Sequence, residues 1–156
     1  MSDRQIPSIA NRYRQDQAIL LCDSFYRLTG RKLTDAPEES VGEALFFAPF
    51  AVVSHDTATD PIFNYANQTA LALFEMNWEQ FTALPSRHSA EQLQQEARER
   101  LLHQVTTQGY IDDYTGIRIS RTGKRFFIQR ATVWNLDRQG IACGQAAMFK
   151  EWSPVQ

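Results

Sequence analysis

Cysteine is scarce in this sequence. The only two, Cys22 and Cys143, lie far apart and form neither a CxxC pair nor a common metal-ligand spacing. This scarcity excludes a disulfide scaffold, and the spacing argues against a redox pair. We expect two buried thiols, because free cysteine behaves as a small apolar side chain.

Long apolar runs are absent as well. No stretch approaches the length that crosses a bilayer, and the N-terminal MSDRQIPSIANRYRQ lacks the apolar core of a secretory signal. A strong excess of charge is also missing, since the net charge is -2 and the sequence pI about 5.9. Such a chain has no general attraction to phosphate backbones or anionic membranes. We expect a cytoplasmic protein that binds neither nucleic acid nor membrane.

What is present is the composition of an ordinary globular domain. The 156 residues are 43% hydrophobic, 12% aromatic and 22% charged, and the charges are spread along the chain. A chain of this length can bury a core without metal or disulfide. One domain is therefore expected, and the sequence contains no internal repeat.

The N-terminal part predicts an amphipathic helix over residues 9–28. Its apolar side chains fall within an arc of about 120° at helical spacing, and Gly30 supplies a C-terminal cap. Residues 31–40 are polar and include a proline, which indicates a linker. We divide the chain into an N-terminal helical extension and linker, residues 1–40, and a main domain, residues 41–152. The apolar arc consists of Ala10, Tyr13, Leu21, Phe25 and Leu28.

Two short strands open the main domain after a helical turn at residues 41–46. The β-branched run at 50–54 and the segment at 61–65 are separated by a turn, so they predict a hairpin. Asn67 then occupies a helix N-cap position, where its side-chain oxygen accepts from an amide two or three residues later.

Short helices and a three-stranded meander follow. Helical turns are predicted at residues 69–74 and 78–81, and the longest helix at 86–108. The apolar positions of that helix recur at i+4: Leu93, Ala97, Leu101 and Val105. Glycine-containing turns then separate three strands, at residues 110–120, 124–136 and 141–149. This order predicts an α+β fold with a five-stranded antiparallel sheet, short helices on one face and the N-terminal amphipathic helix.

Several segments of the main domain resemble one family. The stretch from Phe63 to Glu91, FNYANQTALALFEMNWEQFTALPSRHSAE, closely resembles the signature of the MEKHLA domain. The similarity continues in APFAVVSHD, GYIDDYTGIRISRTGKRF and ATVWNL, so it covers Leu28 to Trp152. The family occurs in small bacterial proteins and at the C-terminus of plant class III homeodomain-leucine zipper transcription factors. This chain resembles a small stand-alone bacterial member, because the sequence shows no homeodomain, no zipper and not the hexapeptide that names the family.

The resemblance implies a PAS-like fold, in which sheet and helices enclose a small pocket, and a role in sensing or regulated association. It implies no catalysis and identifies no cofactor. PAS-like domains can hold haem through a histidine on the helix before the third strand, where His103 lies. On a helical wheel His103 projects about 200° from Leu101, so we expect it to be exposed. His55 and His88 lie in predicted turns without a second ligand at metal-binding spacing.

No motif supports catalysis. The sequence lacks a G-x-S-x-G elbow, a phosphate-binding glycine loop and an HExxH helix. Asp112 and Asp113 are adjacent on a strand and face opposite sides unless a bulge intervenes. A flavin adduct is not expected, because Cys143 lies in a strand and Cys22 in the extension. We expect no enzyme; a haem or flavin sensor and an enzyme acting on a small molecule stay as the less favoured alternatives.

The hairpin between the third and fourth strands is basic. Its charge could dock a phosphate or an acidic partner, but a solvated surface is the favoured interpretation. The basic residues are Arg118, Arg121, Lys124, Arg125 and Arg130.

Both faces of the fourth strand are apolar, which requires a cover on each side. The long helices cover one face, and the N-terminal helix covers the other, within its own chain or across a dimer. Strict alternation gives Phe126, Ile128, Thr132 and Trp134 one face, and Phe127, Ala131 and Val133 the other.

The leading hypothesis is a regulatory module that binds a small molecule in the pocket and signals through a homodimer or another signalling protein. The alternative is a ligand-free interaction domain with a filled core. The pocket is expected to involve Phe63, Tyr65, Leu73, Phe74, Trp78, Tyr114, Phe127, Gln129, Val133 and Met148.

Overall fold

This computed structural model describes residues 6–90 and 95–155, except for the side chains of residues 95–98 and 102. The described residues include six strands and five α-helices. The helices are α1 (Gln15–Thr29), α2 (Val41–Phe46), α3 (Gln68–Phe74), α4 (Trp78–Phe81) and α5 (Gln95–Gln108). The strands are β1 (Ala51–His55), β2 (Phe63–Ala66), β3 (Tyr110–Ile119), β4 (Arg125–Arg138), β5 (Ile141–Phe149) and β6 (Glu151–Pro154).

The strands form one antiparallel sheet with the order β2-β1-β5-β4-β3. β6 continues β5 after an interruption at Lys150 and pairs with the first half of β4. The predicted α+β class, the three hairpins and the bounds of β5 are confirmed. The sequence does not predict β6, because this strand is short and ends in Pro154, a residue that sheets tolerate only at edges and strand ends.

Asn67 fixes the start of α3. Its Oδ1 accepts from the Ala70 amide at 3.1 Å, which confirms the predicted N-cap. The same oxygen accepts from the Val52 amide at 3.1 Å, and Nδ2 donates to the carbonyls of Leu45 and Phe50 at 3.1 and 2.7 Å. One fully buried side chain therefore ties α2, β1 and α3 together.

α1 begins at Gln15, later than predicted. A 3-10 turn at Ile9–Asn11 precedes it, and residues 12–14 then adopt left-handed φ values of 53, 55 and 56°. α2 packs closely against this turn, since a Cβ on Gly42 would be 2.2 Å from the Arg12 carbonyl oxygen. The Gly42 amide also donates to Gln15 Oε1 at 2.6 Å. A pattern of apolar residues does not report such a long-range contact.

The predicted helix over residues 86–108 is wrong at its start. A 3-10 turn over Ser86–Ser89 ends at Ala90, which is extended and pairs with Arg118 of β3. The helix α5 is described from Gln95. Of the four predicted core positions, Leu101 and Val105 are buried, whereas Leu93 and the Ala97 side chain lie outside the described residues.

α1 covers one face of the sheet within its own chain. Its apolar stripe packs on β4, and the rings of Phe25 and Trp134 meet edge to face at a centroid distance of 4.9 Å. Tyr65 belongs to the same core, and neither its hydroxyl nor Trp134 Nε1 has a hydrogen-bond partner among the described residues. Of the two predicted arrangements, a cover by the helix of the same chain and a cover across a dimer, the first is therefore confirmed.

The opposite face is covered by α3, α4 and α5, and a bulge in β4 changes which residues reach it. Arg130 has a left-handed φ of 54°, and the β3–β4 register shifts there. Ile128 and Val133 consequently lie on the same face, with Ala131 between them. The predicted strict alternation along β4 is wrong, because it placed Ile128 and Val133 on opposite faces.

Candidate functional site

A cavity of about 80 Å³ lies between the sheet and the covering helices. Side chains of β1, β4 and β5 form its floor, and α3 and α5 contribute Phe74 and Leu101. Among the described residues its lining consists of Val53, Ser54, His55, Phe63, Phe74, Ser86, Ser89, Leu101, Arg118, Ile128, Val133, Gln145, Ala146, Ala147 and Phe149.

Aromatic rings form part of the cavity wall. Phe63 stacks on Phe81 at 4.2 Å between centroids, and Phe74 meets both Phe81 and Phe126 at 5.6 and 5.4 Å. These rings are almost fully buried and offer dispersion contacts, while the cross-strand partners of Phe126 and Phe63, Arg118 and His55, are polar lining residues. Arg118 is the only lysine, arginine or carboxylate among the described lining residues.

One end of the cavity is polar. Gln145 and His55 are paired across β1 and β5, and Gln145 is also paired with Asn135 of β4. Gln145 Nε2 donates to Asn135 Oδ1 at 3.0 Å, and Asn135 Nδ2 donates to the Val105 carbonyl of α5 at 2.9 Å. His55 Nδ1 lies 2.8 Å from the Asp56 carbonyl oxygen.

An open groove of about 640 Å³ adjoins this polar end. The β1–β2 connection, the β4–β5 turn and the C-terminal end of α5 border it. His55 and Gln145 line both the groove and the cavity. These two side chains therefore stand at the boundary between the enclosed space and solvent.

A polar contact joins the cavity wall to α1. Ser54 lines the cavity, and its buried hydroxyl accepts from Gln17 Nε2 at 3.2 Å and donates to Asn64 Oδ1 at 2.6 Å. Ser54 of β1 thus contacts both the cavity and α1, although α1 lies on the other face of the sheet.

The structure brings three of the ten predicted pocket residues to the cavity: Phe63, Phe74 and Val133. Leu73 and Tyr114 pack beside it, whereas Tyr65, Trp78 and Met148 belong to the core beneath α1. Phe127 is half-buried and Gln129 exposed, both opposite β6.

Sequence reasoning missed the polar end of the site. His55 was expected in a turn but is the last residue of β1. Gln145 carried a usable signal, since it is a polar residue in step with Ala147 and Phe149 along a strand. The bulge at Arg130 hid Ile128, because it exchanges the faces of the preceding residues.

The remaining candidates have structural surroundings. His103 is exposed, as predicted, and His88 is exposed in its 3-10 turn. Cys22 and Cys143 are half-buried rather than buried; burial raises the pKa of Cys22 to about 12 and also raises the pKa of Cys143. In the part of the chain that the structure describes, no group of three His, Cys, Asp or Glu side chains is placed to hold a metal ion.

A bulge does intervene at the adjacent carboxylates. Asp113 has a φ of 63°, and the β3 register shifts between Ile111 and Tyr114. Asp112 accepts from Thr132 Oγ1 at 2.8 Å and pairs with Arg31 at 2.6 Å. Both aspartates are exposed. The contacts with Thr132 and Arg31 give Asp112 a structural role that requires no catalytic one.

The basic hairpin is held by Glu75 at the end of α3. The hydroxyls of Ser120 and Thr122 donate to Glu75 Oε1, and these hydrogen bonds lower the pKa of Glu75 to about 2. Lys124 Nζ lies 3.5 Å from the other carboxylate oxygen. Arg121 Nε donates to the Glu75 carbonyl at 2.9 Å.

The comparison with family models decides the relationship. The MEKHLA domain model matches residues 15–154, nearly the whole chain. The chain belongs to the MEKHLA domain family. No curated protein matches its sequence significantly. None of the helices among the described residues is long and apolar enough to cross a membrane.

Solved structures share the fold of this MEKHLA domain at low sequence identity. A PAS domain of a protein from Colwellia psychrerythraea has a TM-score of 0.60 and 15% identity, covering 72% of this chain and 92% of that one. The dark structure of the blue-light photoreceptor Aureochrome1 LOV has a TM-score of 0.55 and 19% identity, covering 80% and 89%. A PAS domain of a LuxR-family transcriptional regulator from Burkholderia thailandensis, in complex with ethanol, has a TM-score of 0.54 and 19% identity, covering 72% and 95%. The fold is PAS-like, as the resemblance implied.

Proposed function

We propose that this MEKHLA domain is a sensory regulatory module that binds a small molecule in the cavity between the sheet and α3–α5. Occupancy alters the sheet and shifts α1 or a contact with a partner chain. The cavity carries this proposal, because it combines aromatic wall residues, a polar end and an adjoining solvent groove.

The size of the cavity limits the ligand. A cavity of 150 Å³ holds benzene, so one of about 80 Å³ suits a molecule of about three or four non-hydrogen atoms. A larger ligand would extend past His55 and Gln145 into the groove. One structural neighbour is a PAS domain in complex with ethanol, a ligand of this size, which supports the proposal.

The hydrogen bond between Ser54 and Gln17 supports a route from the cavity to α1. A ligand that displaces β1 also displaces the Ser54 hydroxyl on the opposite face of the strand, and Gln17 follows or loses its partner. Under this proposal residues 1–40 carry the signal and residues 41–152 bind the ligand. The recipient is a second copy of the chain or another signalling protein in the cytoplasm, without nucleic acid or catalysis.

A ligand-free interaction domain is the second candidate. The observation that favours it is the packing of Phe63, Phe74, Phe81 and Phe126, which fills most of the space between sheet and helices. Ligand pockets usually enclose about 300–1,000 Å³, well above this cavity. This candidate requires a constant oligomeric state and no bound molecule.

Native mass spectrometry with an absorption spectrum, on protein purified without added ligand, tests the proposal. A stoichiometric bound mass supports the sensory module and identifies the ligand class; visible colour would identify a haem or flavin. A constant dimer without bound mass, which also gains none from a library of small molecules, would favour the interaction domain.

A further inference from the structure

The polar end of the cavity has a fixed hydrogen-bond direction. The Val105 carbonyl can only accept, so the side chain of Asn135 must turn its amide nitrogen toward it, at 2.9 Å. Asn135 Oδ1 is then the acceptor for Gln145 Nε2, at 3.0 Å. The Val105 carbonyl therefore fixes the orientation of the Asn135 amide, and Asn135 in turn fixes the orientation of the Gln145 amide.

This direction leaves Gln145 Oε1 as an acceptor. Among the described residues no group donates to that atom, whereas Gln145 Nε2 is engaged with Asn135. Rotating the amide by 180° would set two oxygens against each other at the Asn135 contact, so Gln145 cannot exchange donor for acceptor without breaking that hydrogen bond.

Gln145 also stands where a ligand would meet it. It lies on the same face of β5 as Ala147 and Phe149, which line the cavity. It is half-buried and borders both the cavity and the groove. Any molecule that enters the cavity from the groove passes this side chain.

We infer that Gln145 selects the ligand through a fixed hydrogen-bond acceptor, and that the ligand class is a small neutral molecule with an apolar body and one hydrogen-bond donor, such as a short-chain alcohol. This inference rests on the proposed function. A ketone or ether of equal size presents only acceptors and therefore cannot donate to Gln145 Oε1.

The matched probes are 2-propanol and acetone, which have the same four non-hydrogen atoms and nearly the same shape. Titration of the full chain is followed by the NMR shifts of the Val53 and Ala147 backbone amides in the cavity wall. We expect 2-propanol to bind about tenfold more tightly than acetone, the effect of one satisfied acceptor.

Two variants separate recognition from packing. Gln145→Met keeps the length of the side chain but removes the acceptor, so both probes should bind equally. Asn135→Ala frees Gln145 to rotate and donate, so acetone should gain affinity while 2-propanol keeps its own. Gln104→Ala, on the exposed side of α5, is the control and should retain the tenfold preference.

The outcomes distinguish this inference from the function on which it rests. Equal binding of both probes by the unmodified chain, or a preference that survives in Gln145→Met, overturns the role of Gln145 and leaves the cavity as a ligand site. If neither probe shifts the wall amides, this inference fails, and the mass spectrometry described above decides the proposed function. Should Asn135→Ala not fold, the unmodified chain and Gln145→Met still decide.

Discussion

Asn67 forms four hydrogen bonds from a fully buried position, whereas Asn77 caps α4 from an exposed one. Asn67→Ala leaves buried backbone groups without partners, so we expect it to lower the free energy of unfolding by about 3 kcal/mol. Asn77→Ala removes only a cap and should cost about 1 kcal/mol. Urea denaturation measures both; equal losses would mean that the buried bonds add nothing to capping.

Glu75 is a second single residue with a measurable effect, because its contacts depend on pH. Hydrogen bonds from Ser120 and Thr122 lower its pKa to about 2 from the ordinary value of 4.5. The unfolded chain therefore binds the proton first as pH falls. The stabilisation from this carboxylate is complete above about pH 4.5 and is lost as pH falls toward about 2.

We expect Glu75→Gln to flatten the acid side of the stability profile. The melting temperature of the unmodified chain should fall more steeply between pH 4.5 and 2 than that of the variant, since glutamine has no proton to bind. Glu79→Gln, an exposed position in α4, is the control and should follow the unmodified chain. Parallel profiles for Glu75→Gln and the unmodified chain would contradict the assignment; differential scanning calorimetry provides the comparison.

Among the elements, those built from local signals could be predicted from the sequence. Asn67 marks the start of α3, and glycine-containing turns separate the strands of the meander. The bulge at Arg130 and the left-handed residues before α1 could not be predicted, because arginine and tyrosine carry no local signal for a positive φ. The candidate site inherited this error: its aromatic wall residues Phe63 and Phe74 were among the predicted pocket residues, and its polar end was not.

Gly42 tests the origin of the left-handed turn before α1. Gly42→Ala would place a methyl group 2.2 Å from the Arg12 carbonyl oxygen, so the turn must move and the chain should lose about 1–3 kcal/mol of stability. Hydrogen exchange at residues 12–15 should accelerate. Gly123→Ala, at a φ of +90° in open space, carries a conformational cost alone and should leave exchange at residues 12–15 unchanged.

At the scale of the whole molecule, α1 belongs to the same core as the sheet. Phe25 is 1% exposed and packs on Trp134, whereas the adjacent Tyr26 is 54% exposed. We expect Phe25→Ala to cost about 3–5 kcal/mol and Tyr26→Ala less than about 0.5 kcal/mol. Thermal denaturation compares them, and a mild effect of Phe25→Ala would mean that α1 contributes little to the core.

The packing of α1 also sets an energetic ceiling on signalling. A ligand of about four non-hydrogen atoms gains at most about 1.5 kcal/mol per atom, or about 6 kcal/mol in all. Burial of Leu21 and Phe25 beneath α1 contributes about 3–6 kcal/mol, before the hydrogen bond of Gln17 is counted. The largest binding energy available thus only matches the burial of these two side chains, and the buried Ala18 and the Gln17 hydrogen bond hold α1 further. Under the proposed function, a receiving protein would therefore have to discriminate two nearby orientations of a docked helix rather than its presence or absence.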